Sequence, residues 1–101
     1  MKIGNVMFRH WQCIALLERY KNGRSAITLI TGKGEPVACA TVNVPEAALD
    51  PDEVIVKDWS ENSGMLDALI DAGIVFPPHR SVPLGLGFVV GHVCKLKSVS
   101  G

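Results

Sequence analysis

Three histidines, His10, His79 and His92, and three cysteines, Cys13, Cys39 and Cys94, are the residues best suited to metal or nucleophilic chemistry. A zinc site needs ligands paired at short spacing, and no two histidines or two cysteines are paired in that way, so no metal is expected. A Cys–His nucleophile would require Cys13 or Cys94 to meet His92 or His10 through the fold, and no nucleophile elbow surrounds either thiol. Gly85, Gly87 and Gly91 miss the dinucleotide fingerprint and precede a strand rather than a helix. The chain is expected to have no catalytic residues and no cofactor.

The remaining chemistry is electrostatic. Formal charge is zero over 101 residues, yet eight of the ten acids (Glu46, Asp50, Asp52, Glu53, Asp58, Glu61, Asp67 and Asp71) fall between positions 46 and 71, where Lys57 is the only base. That segment carries −7 and the rest of the chain +7. The acidic middle reads either as a solvated face or as a surface that docks a basic partner. Within it, Asp58-Trp59-Ser60-Glu61-Asn62 has two readings. Trp59 could staple a strand end to a helix capped by Asp58 or Ser60, or it could anchor an interface as a tryptophan ringed by acids. The free amides at the helix start could hold an anion, but Asp58 and Glu61 occupy that positive potential. Candidate binding residues are therefore Asp58, Trp59, Glu61, Asn62, Asp67 and Asp71, joined by the loop pair His79 and Arg80 that follows two prolines.

These residues must be positioned by a small α+β domain. Trp11–Tyr20 fits a helix or a strand, and Asn22-Gly23 tips it to a hairpin by offering the two positive φ angles of a type I′ turn. Ser25–Thr31 is its β-branched partner, bounded by Gly32-Lys33-Gly34-Glu35. A third strand spans Val37–Val44, where small Ala38 and Ala40 leave room for a helix, and a fourth spans Glu53–Lys57. The acidic helix, about 61–72, has Ser60 as its cap; Met65, Leu66, Leu69 and Ile70 share one face, and Gly73 and Ile74 provide a Schellman ending. Pro77 to Pro83 reads as an extended connection and Leu86–Lys97 as a long final strand. The fold expected is an antiparallel sheet of about five strands with one helix packed on one face, in a single domain over residues 1–101.

A chain of this length buries roughly 60 to 70% of its unfolded surface. With 48% hydrophobic residues and no apolar run near the ~18 needed to cross a bilayer, it is expected to be soluble, with no membrane partner. Asn5, Arg9 and His10 interrupt any signal-peptide core, which makes a cytoplasmic home the expectation. The odd, widely spaced cysteines fit buried free thiols.

Thr41-Val42-Asn43-Val44-Pro45, Lys57-Asp58-Trp59-Ser60-Glu61-Asn62, Gly64-Met65-Leu66, Ala72-Gly73-Ile74-Val75, His79-Arg80-Ser81-Val82-Pro83 and Val93-Cys94-Lys95-Leu96 occur in an order that resembles a family of small domains of unknown function carried by phages, plasmids and conjugative elements. The resemblance covers about positions 14–97, although Leu84–Phe88 is longer than the pattern. It implies an accessory role in a mobile element and supplies no catalytic residues. Together, these features lead to the expectation of a non-enzymatic interaction module that inhibits or regulates a host nucleic-acid or defence machine through an acidic surface. The alternatives are a single-stranded nucleic-acid binder using Arg9, Arg19, Lys21, Arg24 and Lys33 with Phe8, Trp11 and Tyr20, and a small-molecule binder or small enzyme. An unprotected sheet edge could also pair two copies into a homodimer.

Overall fold

The computed structural model describes residues 1–85 and 89–97. Two four-stranded antiparallel sheets replace the single five-stranded sheet expected. The first is the meander β1 (Lys2–Phe8), β2 (Trp11–Arg19), β3 (Ser25–Ile30) and β4 (Pro36–Cys39). The second has the order β5 (Thr41–Val42), β6 (Glu53–Val56), β8 (Val89–Lys95) and β7 (Arg80–Leu84), with α1 (Met65–Asp71) between β6 and β7 in sequence.

The two sheets arise because the strand read as Val37–Val44 breaks at Ala40. The Ala40 amide donates to Ile27 of the first sheet at 2.8 Å, while its carbonyl accepts from Lys57 at the end of β6 at 2.9 Å. Once the chain has left β3, the Ile27 amide donates instead to the Thr41 hydroxyl at 3.2 Å, and Tyr20 shares a 2.8 Å hydrogen bond with that hydroxyl. These bonds pair the Ala40 backbone, the Ile27 amide and the Thr41 hydroxyl at the crossing, as burial requires. Ala40 is fully buried where the backbones converge.

β1, which sequence patterning did not reveal, is hidden by its small inward residue: Gly4 pairs with Ala15, and Ile74 Cδ1 lies 2.6 Å from where a Gly4 Cβ would stand. Val6 and Phe8 continue its inner face and join Cys13, Ala15, Ile27 and Leu29 from the first sheet and Val54, Val56 and Cys94 from the second. Met65 and Leu69 of α1 enter the same core fully buried, each contributing about 1.5–3 kcal/mol of apolar burial. Ile55 and Val93, paired across β6 and β8, alternate to the other face of the second sheet and are buried there too.

Local signals hold unevenly. Trp11–Arg19 is a strand, as its turn residues indicated. That turn, however, is a three-residue loop, Lys21-Asn22-Gly23, closed by the Gly23 amide on Tyr20 O at 2.9 Å, with a positive φ only at Gly23 (+86°) rather than the pair a type I′ turn needs. Lys33 sits in a matching loop ending at Gly34, again at +86°. The helix is shorter than 61–72: Ser60–Asn62 forms a 3₁₀ turn, Gly64 takes a left-handed φ of +95°, and α1 starts at Met65. Its end follows the Schellman pattern, with the Ile74 amide on Leu69 O and the Gly73 amide on Ile70 O, both at 3.0 Å.

Part of the Pro77–Pro83 connection is strand β7, where Pro83 is tolerated because β7 is a sheet edge. The final strand begins at Val89, and the expected start at Leu86 lies outside the described residues. Cys13 and Cys94 are buried free thiols, whereas Cys39 is exposed, since β4 is an edge and its outward positions face solvent. Burial pushes the Cys94 thiol up to about 11 and raises that of Cys13, so both stay protonated and unreactive near neutrality. Among the described residues, no helix is long and apolar enough to cross a membrane.

Candidate interaction surface

The connection from β6 to α1 carries four of the candidate residues, and most of their polar groups are engaged within the molecule. Asp58 Oδ1 accepts the amides of Gly64 at 3.1 Å and Leu66 at 2.9 Å, so of the two caps considered, Asp58 and Ser60, it is Asp58 that caps α1, from outside the helix. Asn62, 1% exposed, donates from Nδ2 to the Cys39 carbonyl at 2.7 Å and ties this connection to the edge of the first sheet. Trp59 is half-buried with the Lys57 ammonium 5.7 Å from its ring centroid. The same ammonium pairs with Glu61, whose carboxyl it holds down to about 2 although the side chain is open to solvent.

His79 and Arg80 belong to a second cluster, built on a residue not selected from the sequence. Glu53, 5% exposed, accepts His79 Nε2 at 2.5 Å on one carboxylate oxygen; the other accepts the Asp50 amide at 2.8 Å and lies 3.5 Å from Arg80 Nη2. Burial works against the charged form, but the Asp50 amide, His79 and Arg80 outweigh it and hold the carboxyl below its ordinary range. Arg80 also donates to the Ala48 carbonyl, and Arg24 donates to Val44 O at 2.7 Å and Ala47 O at 2.5 Å. The acidic loop between β5 and β6 is therefore clamped by Arg24, just before β3, and by Arg80 of β7. The signal for Glu53 was an acid opening an apolar run, Glu53-Val54-Ile55-Val56, which demands a partner when the run is buried.

Three of the eight clustered acids, Glu53, Asp58 and Glu61, are thus engaged with neighbouring groups. Glu46, Asp50, Asp52, Asp67 and Asp71 remain exposed. Asp67 and Asp71 stand one turn apart on the outer face of α1, and among the described residues neither has an ion-pair partner. From Asp58 to Pro78 the chain has no lysine or arginine to offset them.

The basic, aromatic surface considered from sequence is divided by the fold. Arg19, Lys21 and Arg24 cluster at the β2–β3 turn, while Arg9 and Lys33 occupy turns at the opposite end of the first sheet, roughly 30 Å away at about 3.3 Å per residue. Phe8 is buried, and Tyr20 is half-buried with its hydroxyl on Thr41. Of the three aromatics, Trp11 alone is open, at 57% exposure.

Comparison with known proteins finds no matching family model, no matching curated protein and no matching solved structure.

Proposed function

We propose that the protein is a non-enzymatic interaction module that presents the outer face of α1 to a basic partner protein, acting in the cytoplasm as an accessory of a mobile element that inhibits or regulates host nucleic-acid or defence machinery. The observation that carries this reading is the pair Asp67 and Asp71, exposed and uncompensated on a seven-residue helix. Folding alone accounts for Asp67, an anion in the first turn of α1, but not for Asp71. Like charges at i and i+4 cost about 0.2–0.5 kcal/mol, and Asp71 sits at the helix end whose dipole is negative, where an anion is unfavourable.

An acidic helical face of this kind steers a cationic surface into register and raises its association rate. The mobile-element setting draws its support from the resemblance of positions 14–97 to small phage and plasmid domains. The test is affinity capture from nuclease-treated bacterial lysate with the native chain and with Asp67→Lys/Asp71→Lys. A partner retained by the first and lost by the second supports the proposal, and equal capture by both removes α1 from it.

A further inference from the structure

Two turns meet at one end of the first sheet. Arg9-His10 joins β1 to β2, and Gly32-Lys33-Gly34 joins β3 to β4, so that Trp11, the first residue of β2, lies beside the second turn. The exposed indole borders a hollow of about 290 Å³ whose other walls are Thr31, Glu35, Pro36 and Val37. The hollow has a fixed frame. The Glu35 amide donates to Thr31 Oγ1 at 3.1 Å, and the Thr31 amide donates to the Glu35 carbonyl at 2.8 Å. Arg9 is held over the Phe8 ring at 5.2 Å, with Nη2 3.4 Å from the Ser63 carbonyl, which leaves further N–H groups for a ligand.

The geometry points to this end of the sheet as a stacking site for one base of a single-stranded nucleic acid. Three features converge on that occupant. An open tryptophan face stacks any base, and cations on the two neighbouring turns, Arg9 and Lys33, suit the flanking phosphates. Glu35 is an exposed wall residue of the hollow, and a carboxylate in that position suits an exocyclic amino group, which donates to it. Arg9 and Lys33 disfavour a basic peptide, and an acidic peptide offers the open indole no ring to stack on. A nucleotide with an amino-bearing base offers an aromatic face, an anion and a donor together.

The site is separate from the acidic helix and uses only one of the three aromatics of the wider basic surface. Its specificity follows from Glu35: cytosine, which carries an amino group on its pairing edge, is preferred to thymine, which does not.

The test is fluorescence anisotropy of labelled oligodeoxycytidylate and oligodeoxythymidylate at low salt, together with quenching of Trp11 emission in a Trp59→Phe background. The expected results are quenching on binding, several-fold tighter binding of the cytosine strand, and a log–log salt slope of about −1 to −2 for two phosphate contacts. Trp11→Ala should weaken binding roughly tenfold to a hundredfold, and Glu35→Gln should erase most of the preference for cytosine. Undetectable binding at low salt, or an unchanged affinity in Trp11→Ala, overturns the assignment. So does quenching by a lysine-rich or glutamate-rich peptide at affinities that match the oligonucleotides.

Discussion

Asp58 and Leu66 are joined across eight positions of chain, the Asp58 carboxylate accepting the Leu66 amide at 2.9 Å. With the Gly64 amide on the same oxygen, this bond satisfies two of the donors that the first turn of α1 would otherwise leave unpaired. Asp58→Ala should therefore cost about 0.5–2 kcal/mol in urea denaturation, the range for loss of a helix cap, and Asp58→Asn should cost less because an acceptor oxygen remains. Neither change should alter partner capture per folded molecule, because the Asp58 carboxylate is engaged within the fold.

The opposite pattern is expected of Asp71. Asp71→Lys places a cation at the negative end of α1 and opposite Asp67 at i, i+4, two effects worth about 0.3–1 and 0.2–0.5 kcal/mol. The variant should melt slightly higher than the native chain and bind the partner worse. Thermal denaturation followed by circular dichroism checks the first half, and a loss of stability would show that the helix face has a structural partner.

Glu53 governs the acid limb of stability. Its folded pKa lies below the ordinary value of 4.5, so the stabilisation is fully present above that value and is lost as pH falls through the lower, folded one. Urea midpoints measured from neutral to strongly acidic pH should fall below about pH 4.5 in the native chain, and the drop should be shallower in Glu53→Gln. Glu61, also held low, is 65% exposed, and solvent screens its pair with Lys57. Glu61→Gln should change the profile far less.

Gly91 tests the packing between β6 and β8. A Cβ there would stand 2.3 Å from Ile55 Cγ2, and Ile55 is itself 1% exposed, so the neighbour has no free space to enter. Gly91→Ala should cost about 1–3 kcal/mol by overpacking. Ile55→Ala removes the obstructing methyl, and the double variant should be more stable than the sum of the two single losses predicts.

Local chemistry in the sequence carried much of the fold. The strand Trp11–Arg19, its partner Ser25–Ile30, the apolar face of α1 and the Schellman end at Gly73 all follow from neighbours within a few residues. The division into two sheets did not, because it depends on Ala40 bonding to Ile27 and Lys57, which are 13 and 17 positions away. β1 was missed because Gly4 and Asn5 interrupt the apolar alternation, and the reason for Gly4, the approach of Ile74, is a tertiary contact. The acidic segment looked like one surface because charge counts along a chain do not show pairing. Three-dimensional partners take Glu53, Asp58 and Glu61 out of it and leave Asp67 and Asp71 standing on α1.

The outer face of α1 is tested most directly by quantitative affinity capture with Asp67→Lys/Asp71→Lys beside the native chain, from the same nuclease-treated lysate, after denaturation has shown both to be folded. A partner captured by the native chain and reduced at least tenfold by the double reversal is the predicted result. Capture of the same protein in equal amount by both chains would contradict the proposal that α1 is the binding face.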